Sequence, residues 1–266
     1  VGEQVEIGVF GGSGFYEYLR DAESVTVDTP YGAPSAPATI GEIAGRRVAF
    51  IPRHGPHHEL PPHAINYRAN LWAMKELGAN WVIGPCASGS LQPHVGIGEF
   101  VVVDQFVDRT SGRATTFFDG PEVVHISAAQ PYSPVLRELL IDGCAALDIP
   151  VHDRGTMVVI QGPRFSTTAE SRWYSGMGWE VVNMTGHPEG ILARELELAY
   201  ASVALITDYD VGLKEGDEVP EVTTEDVMRV FGENVSRVRE LLTWVIARVP
   251  EEPDPHCANA LDGARI

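Results

Sequence analysis

The stretch Val5-Glu6-Ile7-Gly8-Val9-Phe10-Gly11-Gly12-Ser13-Gly14 runs an apolar segment straight into a cluster of glycines. A short apolar run closed by turn residues reads as a buried strand. The pattern recurs outward along the chain at residues 47–52, 81–86, 100–107, 157–160 and 201–207. Helical patterns lie between these runs. Residues 66–77 space Leu71, Met74 and Leu77 along one face, and Ser133-Pro134 supplies an N-cap and a first-turn proline ahead of Leu136, Leu139 and Leu140. The longest pattern, 223–247, opens on Thr223-Thr224-Glu225-Asp226 and carries Val227, Val230, Phe231, Asn234, Val238, Leu241, Leu242 and Val245 on one stripe. This alternation predicts an α/β fold: a single domain over residues 1–249 with a mixed, largely parallel sheet flanked by helices. Residues 250–266 read as a polar, proline-containing tail, lying on the surface or wrapping a neighbouring subunit.

The chain has 266 residues, 44% of them apolar, enough for a large core in one domain. No run approaches the ~20 apolar residues of a membrane span. Glu3 and Glu6 stand where a signal peptide would be basic. Cys86, Cys144 and Cys257 are odd in number and form no CxxC pair, which fits a reducing compartment. These features predict a cytoplasmic protein. A net charge of −18 argues against nucleic acid or an anionic membrane as partner, so any phosphate site must be local.

Three predicted strand ends offer such a site. After the first, the glycines let backbone N–H groups and the Ser13 hydroxyl face an anion, although a plain glycine turn closing a strand is the more frequent reason for such a run. The segment is not a P-loop, since no Gly-Lys-Ser/Thr follows, nor does it have dinucleotide GxGxxG spacing before a helix. After the second, Arg53-His54-Gly55 places a guanidinium fork suited to bidentate phosphate contact, with imidazoles beside it. His54, His57, His58 and His63 also raise a metal reading, but supporting carboxylates or cysteines at ligand spacing are missing. The third is Cys86-Ala87-Ser88-Gly89-Ser90, read as a turn of small residues after an apolar strand. Ligands in open α/β sheets gather at such carboxyl edges.

With these turns in view, the chain resembles the trimeric purine-nucleoside phosphorylases, and within them the 5'-methylthioadenosine phosphorylases. The resemblance is carried by GGSG at 11–14, DTPYG at 28–32, RHG at 53–55, NYRANLWAMKELG at 66–78 and ASGSL at 87–91. It continues through DQFVDRT at 104–110, FFDG at 117–120, GTMVVIQGPRFST at 155–167, NMTGHPE at 183–189 and TDYD at 207–210. It implies a phosphate site of Ser13, Arg53, His54, the backbone at Cys86-Ala87, and Thr185. It implies a ribose contact from Met184, His125 near the 5' end of the sugar, and Phe165 and Ser166 against the purine. Asp208 and Asp210, flanking Tyr209, would read the purine edge, and Thr224 and Val227 would line the 5' pocket. A homotrimer is implied, with a nucleoside and inorganic phosphate as substrates and no cofactor or metal.

The residue types suit that chemistry. N-glycoside cleavage builds positive charge on the ribose and negative charge on the departing purine, so catalysis must neutralise both. Phosphate would attack C1' while a protonated Asp208 donates to N7, which requires a raised pKa from burial and from Asp210. A protonated carboxyl both gives and accepts, matching the N7 acceptor and N6–H donor of adenine; an Asn amide suits a 6-oxopurine better. Asp210 has a plainer reading as a cap for the turn at Val211-Gly212. The chain departs from the resemblance at three places: Thr224 stands where an aliphatic residue is usual, Cys86 replaces a hydroxyl residue, and Gly186-His187 replaces Thr-Val. The last resembles some bacterial methylthioinosine phosphorylases and keeps a 6-oxo substrate as an alternative, while the Thr224 hydroxyl keeps adenosine itself as another. Rival classes are a nucleosidase, which would need no phosphate, and a non-enzymatic nucleotide-binding module, which would not need paired aspartates at a purine edge.

Overall fold

The computed structural model describes residues 4–11, 19–211, 213 and 222–266. In chain order the strands are β1 (Ile7–Phe10), β2 (Arg20–Val25), β3 (Ala38–Ile43), β4 (Arg46–Ile51), β5 (Trp81–Ser90), β6 (Phe100–Val102), β7 (Gln105–Arg109), β8 (Val151–His152), β9 (Thr156–Ile160), β10 (Val181–Asn183) and β11 (Ala199–Tyr209). The helices are α1 (Tyr67–Glu76), α2 (Pro134–Ala146), α3 (Thr168–Gly176), α4 (Gly186–Glu195), α5 (Thr224–Ile246) and α6 (Pro255–Ala258). All the strands join one mixed sheet, with β4, β1, β5 and β11 parallel to their neighbours in that group.

The helix starts follow local chemistry. The side chains of Asn66, Ser133 and Thr223 cap α1, α2 and α5 by accepting backbone N–H groups of Ala69, Leu136 and Asp226. Thr167 and Glu170 close a reciprocal capping box on α3. The α5 stripe is core: Val238, Leu241, Leu242 and Val245 are buried with Ile7, Val9, Ile83, Val203 and Leu205 against one face of the sheet. Each such side chain contributes roughly 1.5–3 kcal/mol on burial. The other face packs on α1 and α4 through Leu71, Met74, Leu192 and Ala193.

β5 is the strand that makes the site. It pairs with β11 along its whole length, but with β1 only at Trp81–Ile83. Beyond Ile83 the partner on that side changes to β10, which runs antiparallel with Val181 opposite Ser90 and Val182 opposite Gly89. The sheet branches there. Cys86-Ala87-Ser88-Gly89-Ser90 is therefore strand and not the turn its small residues suggested. It is extended because β11 supplies a continuous partner, and small because other groups crowd it.

The predicted strand 100–107 is two strands: Val103 and Asp104 break it, and β6 and β7 join different neighbours. The final residues are no loose tail. Asp254 caps α6, accepts the Ser133 hydroxyl at 2.5 Å and is 3% exposed, while Cys257 lies in the core at 2%. Beyond α6, backbone bonds run from His125 N–H to Ala264 O (2.8 Å) and from Ile266 N–H to Val123 O (3.2 Å). No helix among the described residues is long and apolar enough to cross a membrane.

Candidate active site

Arg53 follows β4 and is buried, but its fork is already engaged. Nε and Nη2 donate to the two carboxylate oxygens of Glu189 at 2.9 and 2.7 Å, and Nη1 donates to Pro85 O at 2.9 Å. The expected bidentate phosphate contact is thus made to a carboxylate, and one N–H on each terminal nitrogen has no partner among the described residues. Burial opposes the charge on Arg53; Glu189 outweighs it and raises the guanidinium pKa further. Tyr200 donates its hydroxyl to Glu189 Oε1 at 2.7 Å. A Cβ on Gly84 would stand 2.2 Å from that hydroxyl, so glycine is needed for the close approach.

His54, next in sequence, places Nδ1 2.9 Å from Leu60 O. A carbonyl only accepts, so Nδ1 carries the hydrogen. Burial is the main cause that lowers the ring's pKa to about 4, with the Arg53 charge adding to it. The ring is neutral at pH 7, and Nε2 holds a lone pair. His58 stacks on it at 4.4 Å between centroids.

Asn183, at the end of β10, ties the two sides of the branch together. Its Nδ2 donates to Ala87 O at 3.0 Å, and its Oδ1 accepts the backbone N–H groups of Thr185 (2.6 Å) and Gly186 (2.7 Å). Thr185 is thereby fixed beside Cys86-Ala87, as the resemblance implies. Cys86 lies within 3.6–3.7 Å of the Ser202 and Ser88 hydroxyls, and burial pushes its thiol pKa up, leaving it protonated. Met184 is half-buried; a Cβ on Gly162 would meet its sulfur at 2.6 Å.

The aspartates lie at the end of β11. The register with β5 shifts between Ile206 and Asp208, and Asp208 then stands opposite Gly89. A Cβ on Gly89 would reach Asp208 Oδ2 at 2.9 Å. Asp208 Oδ1 accepts the Thr207 hydroxyl at 2.8 Å. Burial raises the Asp208 carboxyl to about 6, helped by Asp210 and Asp226 and opposed by Thr207. Asp226 sits in the first turn of α5, which brings Thr224 (exposed) and Val227 (half-buried) to the same end of the sheet. Asp210 is more deeply buried; burial raises its carboxyl against the Ser171 and Ser166 hydroxyls. Asp210 Oδ2 and Ser166 Oγ are buried without a hydrogen bond of good geometry, as groups awaiting a polar ligand edge are. Phe165 beside them is half-buried, and so is Tyr209.

Ser13 lies outside the described residues. His125 is exposed, and no hydrogen bond, ion pair or ring contact joins it to Arg53 or Asp208 among the described residues. The ring of the unusual His187 packs on Phe106 (5.2 Å) and reaches Asp108 at 3.2 Å, and burial lowers its pKa. Glu189, Tyr200, Asn183 and Gly89 were not singled out from sequence. Glu189 is 136 residues from Arg53, and an acidic residue in a helix's first turn carries no sign of such a distant partner.

The engaged arginine and neutral imidazole that follow β4, and the raised carboxyl at the end of β11, thus lie on strands that meet at β5 in the mixed sheet. A model of the phosphorylase superfamily matches residues 6–247. The chain belongs to the phosphorylase superfamily. It is 52% identical to a purine nucleoside phosphorylase of Streptomyces coelicolor, over 98% of this chain and 95% of that one. It is 53% identical to an S-methyl-5'-thioadenosine phosphorylase of Mycobacterium tuberculosis, over 95% and 93%. Its structure superposes on methylthioadenosine phosphorylase of Schistosoma mansoni in complex with adenine with a TM-score of 0.92 and 35% identity, covering 98% and 99% of the two chains.

Proposed function

We propose that this superfamily member catalyses phosphate-dependent cleavage of 5'-methylthioadenosine to adenine and 5-methylthioribose 1-phosphate. The observation that carries this reading is the buried carboxyl of Asp208, raised to about 6 at the end of β11. In this reading Asp208 meets the purine, while Arg53, His54, the Cys86-Ala87 backbone and Thr185 hold the phosphate. A phosphate oxygen attacks C1', the C1'–N9 bond breaks, its electron pair passes into the purine, and the Asp208 proton moves to N7. Ser166 and Asp210 meet the purine edge beside Phe165 and Tyr209, and Met184 lies under the ribose. Thr224 and Val227 line the 5' end, with His125 and Ser13 completing the 5' and phosphate ends. Inorganic phosphate is a co-substrate and no cofactor takes part. The protein works in the cytoplasm as a homotrimer, in which the exposed His125 serves a neighbouring site.

A 6-oxopurine nucleoside is the second reading, favoured by Gly186-His187 and by the purine nucleoside phosphorylase among the relatives. The deciding experiment measures base release from methylthioadenosine, adenosine, methylthioinosine and inosine, with and without phosphate. Phosphate-dependent adenine release, fastest from methylthioadenosine, is the expected result. Faster hypoxanthine release would overturn the base assignment, and base release without phosphate would overturn the mechanism.

A further inference from the structure

We infer that Glu189 is a positioning residue for the phosphate site, aiming Arg53 by occupying one edge of its guanidinium. The inference rests on the reading of Arg53 as a phosphate ligand and adds a residue to that site.

A guanidinium has five N–H groups in a plane. In this chain Nε–H and one Nη2–H form a parallel pair with the carboxylate, and one Nη1–H goes to Pro85 O. That arrangement fixes the plane and leaves a single N–H on each terminal nitrogen for an anion. Glu189 is itself held. Tyr200 on β11 donates to Oε1, and Gly84 on β5 makes room for both groups. Arg53 retains 8% side-chain exposure and Glu189 only 2%, so the open edge of the pair belongs to the arginine.

The placement in the chain adds a second link. Glu189 lies in the first turn of α4, four residues beyond Thr185, whose backbone Asn183 holds beside Ala87. One short segment therefore sets Thr185 directly and Arg53 through Glu189, so the two phosphate groups keep a common frame. The pair also tempers charge. Arg53 is balanced by Glu189 and His54 is neutral, so bound phosphate meets directed N–H groups with little net positive charge. Such a site orients the nucleophile without overstabilising it before attack.

The test compares wild type, Glu189→Gln and Tyr200→Phe in steady state, varying phosphate and nucleoside separately. Misaiming a ligand by a fraction of an ångström has large kinetic effects, so Glu189→Gln is expected to raise the phosphate KM about tenfold. Tyr200→Phe, which removes one hydroxyl and leaves both charges, should raise it by roughly twofold to threefold; the nucleoside KM should stay within about twofold in both variants. Equal movement of both KM values, an unchanged phosphate KM, or a lower one would overturn the inference and leave Glu189 a structural partner. Should Glu189→Gln fail to fold, Tyr200→Phe decides alone by the same criterion. Base release by the wild type without phosphate would be a different failure, removing the phosphate site and this role together.

Discussion

At the residue scale the decisive property is the proton on Asp208. Burial holds its carboxyl at about 6, against an ordinary 3.8. The acid form persists to that pH and is lost above it, so kcat/KM for the nucleoside should fall as pH rises through about 6, approaching tenfold per unit. Asp208→Asn should flatten that limb, slow adenine release by about 10²-fold or more, and shift relative preference toward 6-oxopurines. An unchanged preference and an unchanged pH profile would remove Asp208 from its role. The same shift has a cost in stability. The folded state holds this proton more tightly than the unfolded chain, so the contribution is favourable at low pH and is lost between 3.8 and about 6. At neutral pH the penalty approaches about 3 kcal/mol, and Asp208→Asn should therefore raise the Tm measured at pH 7 while lowering activity.

At the scale of elements, β5 and β11 bring the site together, and their glycines mark where side chains from elsewhere pass. Gly89→Ala places a methyl 2.9 Å from Asp208 Oδ2 and 3.1 Å from Val182. It should displace the carboxyl, reducing kcat far more than the roughly 1–3 kcal/mol of stability that overpacking takes, as paired kinetics and denaturant unfolding would reveal. The C-terminal segment acts on a different element. Its backbone bonds at Ala264 and Ile266 hold the stretch bearing His125, and Arg265 pairs with Glu122. Truncation after Gly263 should raise the nucleoside KM several-fold, by about the loss of one or two hydrogen bonds, and leave the phosphate KM unchanged. Equal nucleoside KM values for the truncated and full chains would separate His125 from the 5' end.

At the scale of the whole molecule, the isolated chain leaves His125 exposed, and with it Trp173 (47%) and Met177 (57%). Both features fit burial against further copies. Sedimentation should give three times the 28.9 kDa chain mass, and a monomer with full activity would refute the proposed assembly.

The strands of the central sheet and the capped helices α1, α2 and α5 were legible in sequence because a strand buried on both faces must be apolar, and a helix start must satisfy its own N–H groups. The polar β2, its partner β3 and the short β8 and β10 were not, since they join the sheet through backbone pairing without the long apolar run that marks the central strands. Helices α3 and α4 escaped as well, α4 because it opens on Gly186-His187-Pro188 with His187 in a non-helical conformation. The ordered motifs named the family. Only the tertiary structure decided how the site's groups are used: that Arg53 is engaged by Glu189, that His54 is neutral with its Nδ1 proton on Leu60 O, that Asn183 joins Ala87 to Thr185, and that Asp208 keeps its proton to about pH 6. Composition and spacing specify which residues are present and which local element they form. Hydrogen-bond partners and burial depend on groups distant in the chain, and these set the charge and direction of each catalytic side chain.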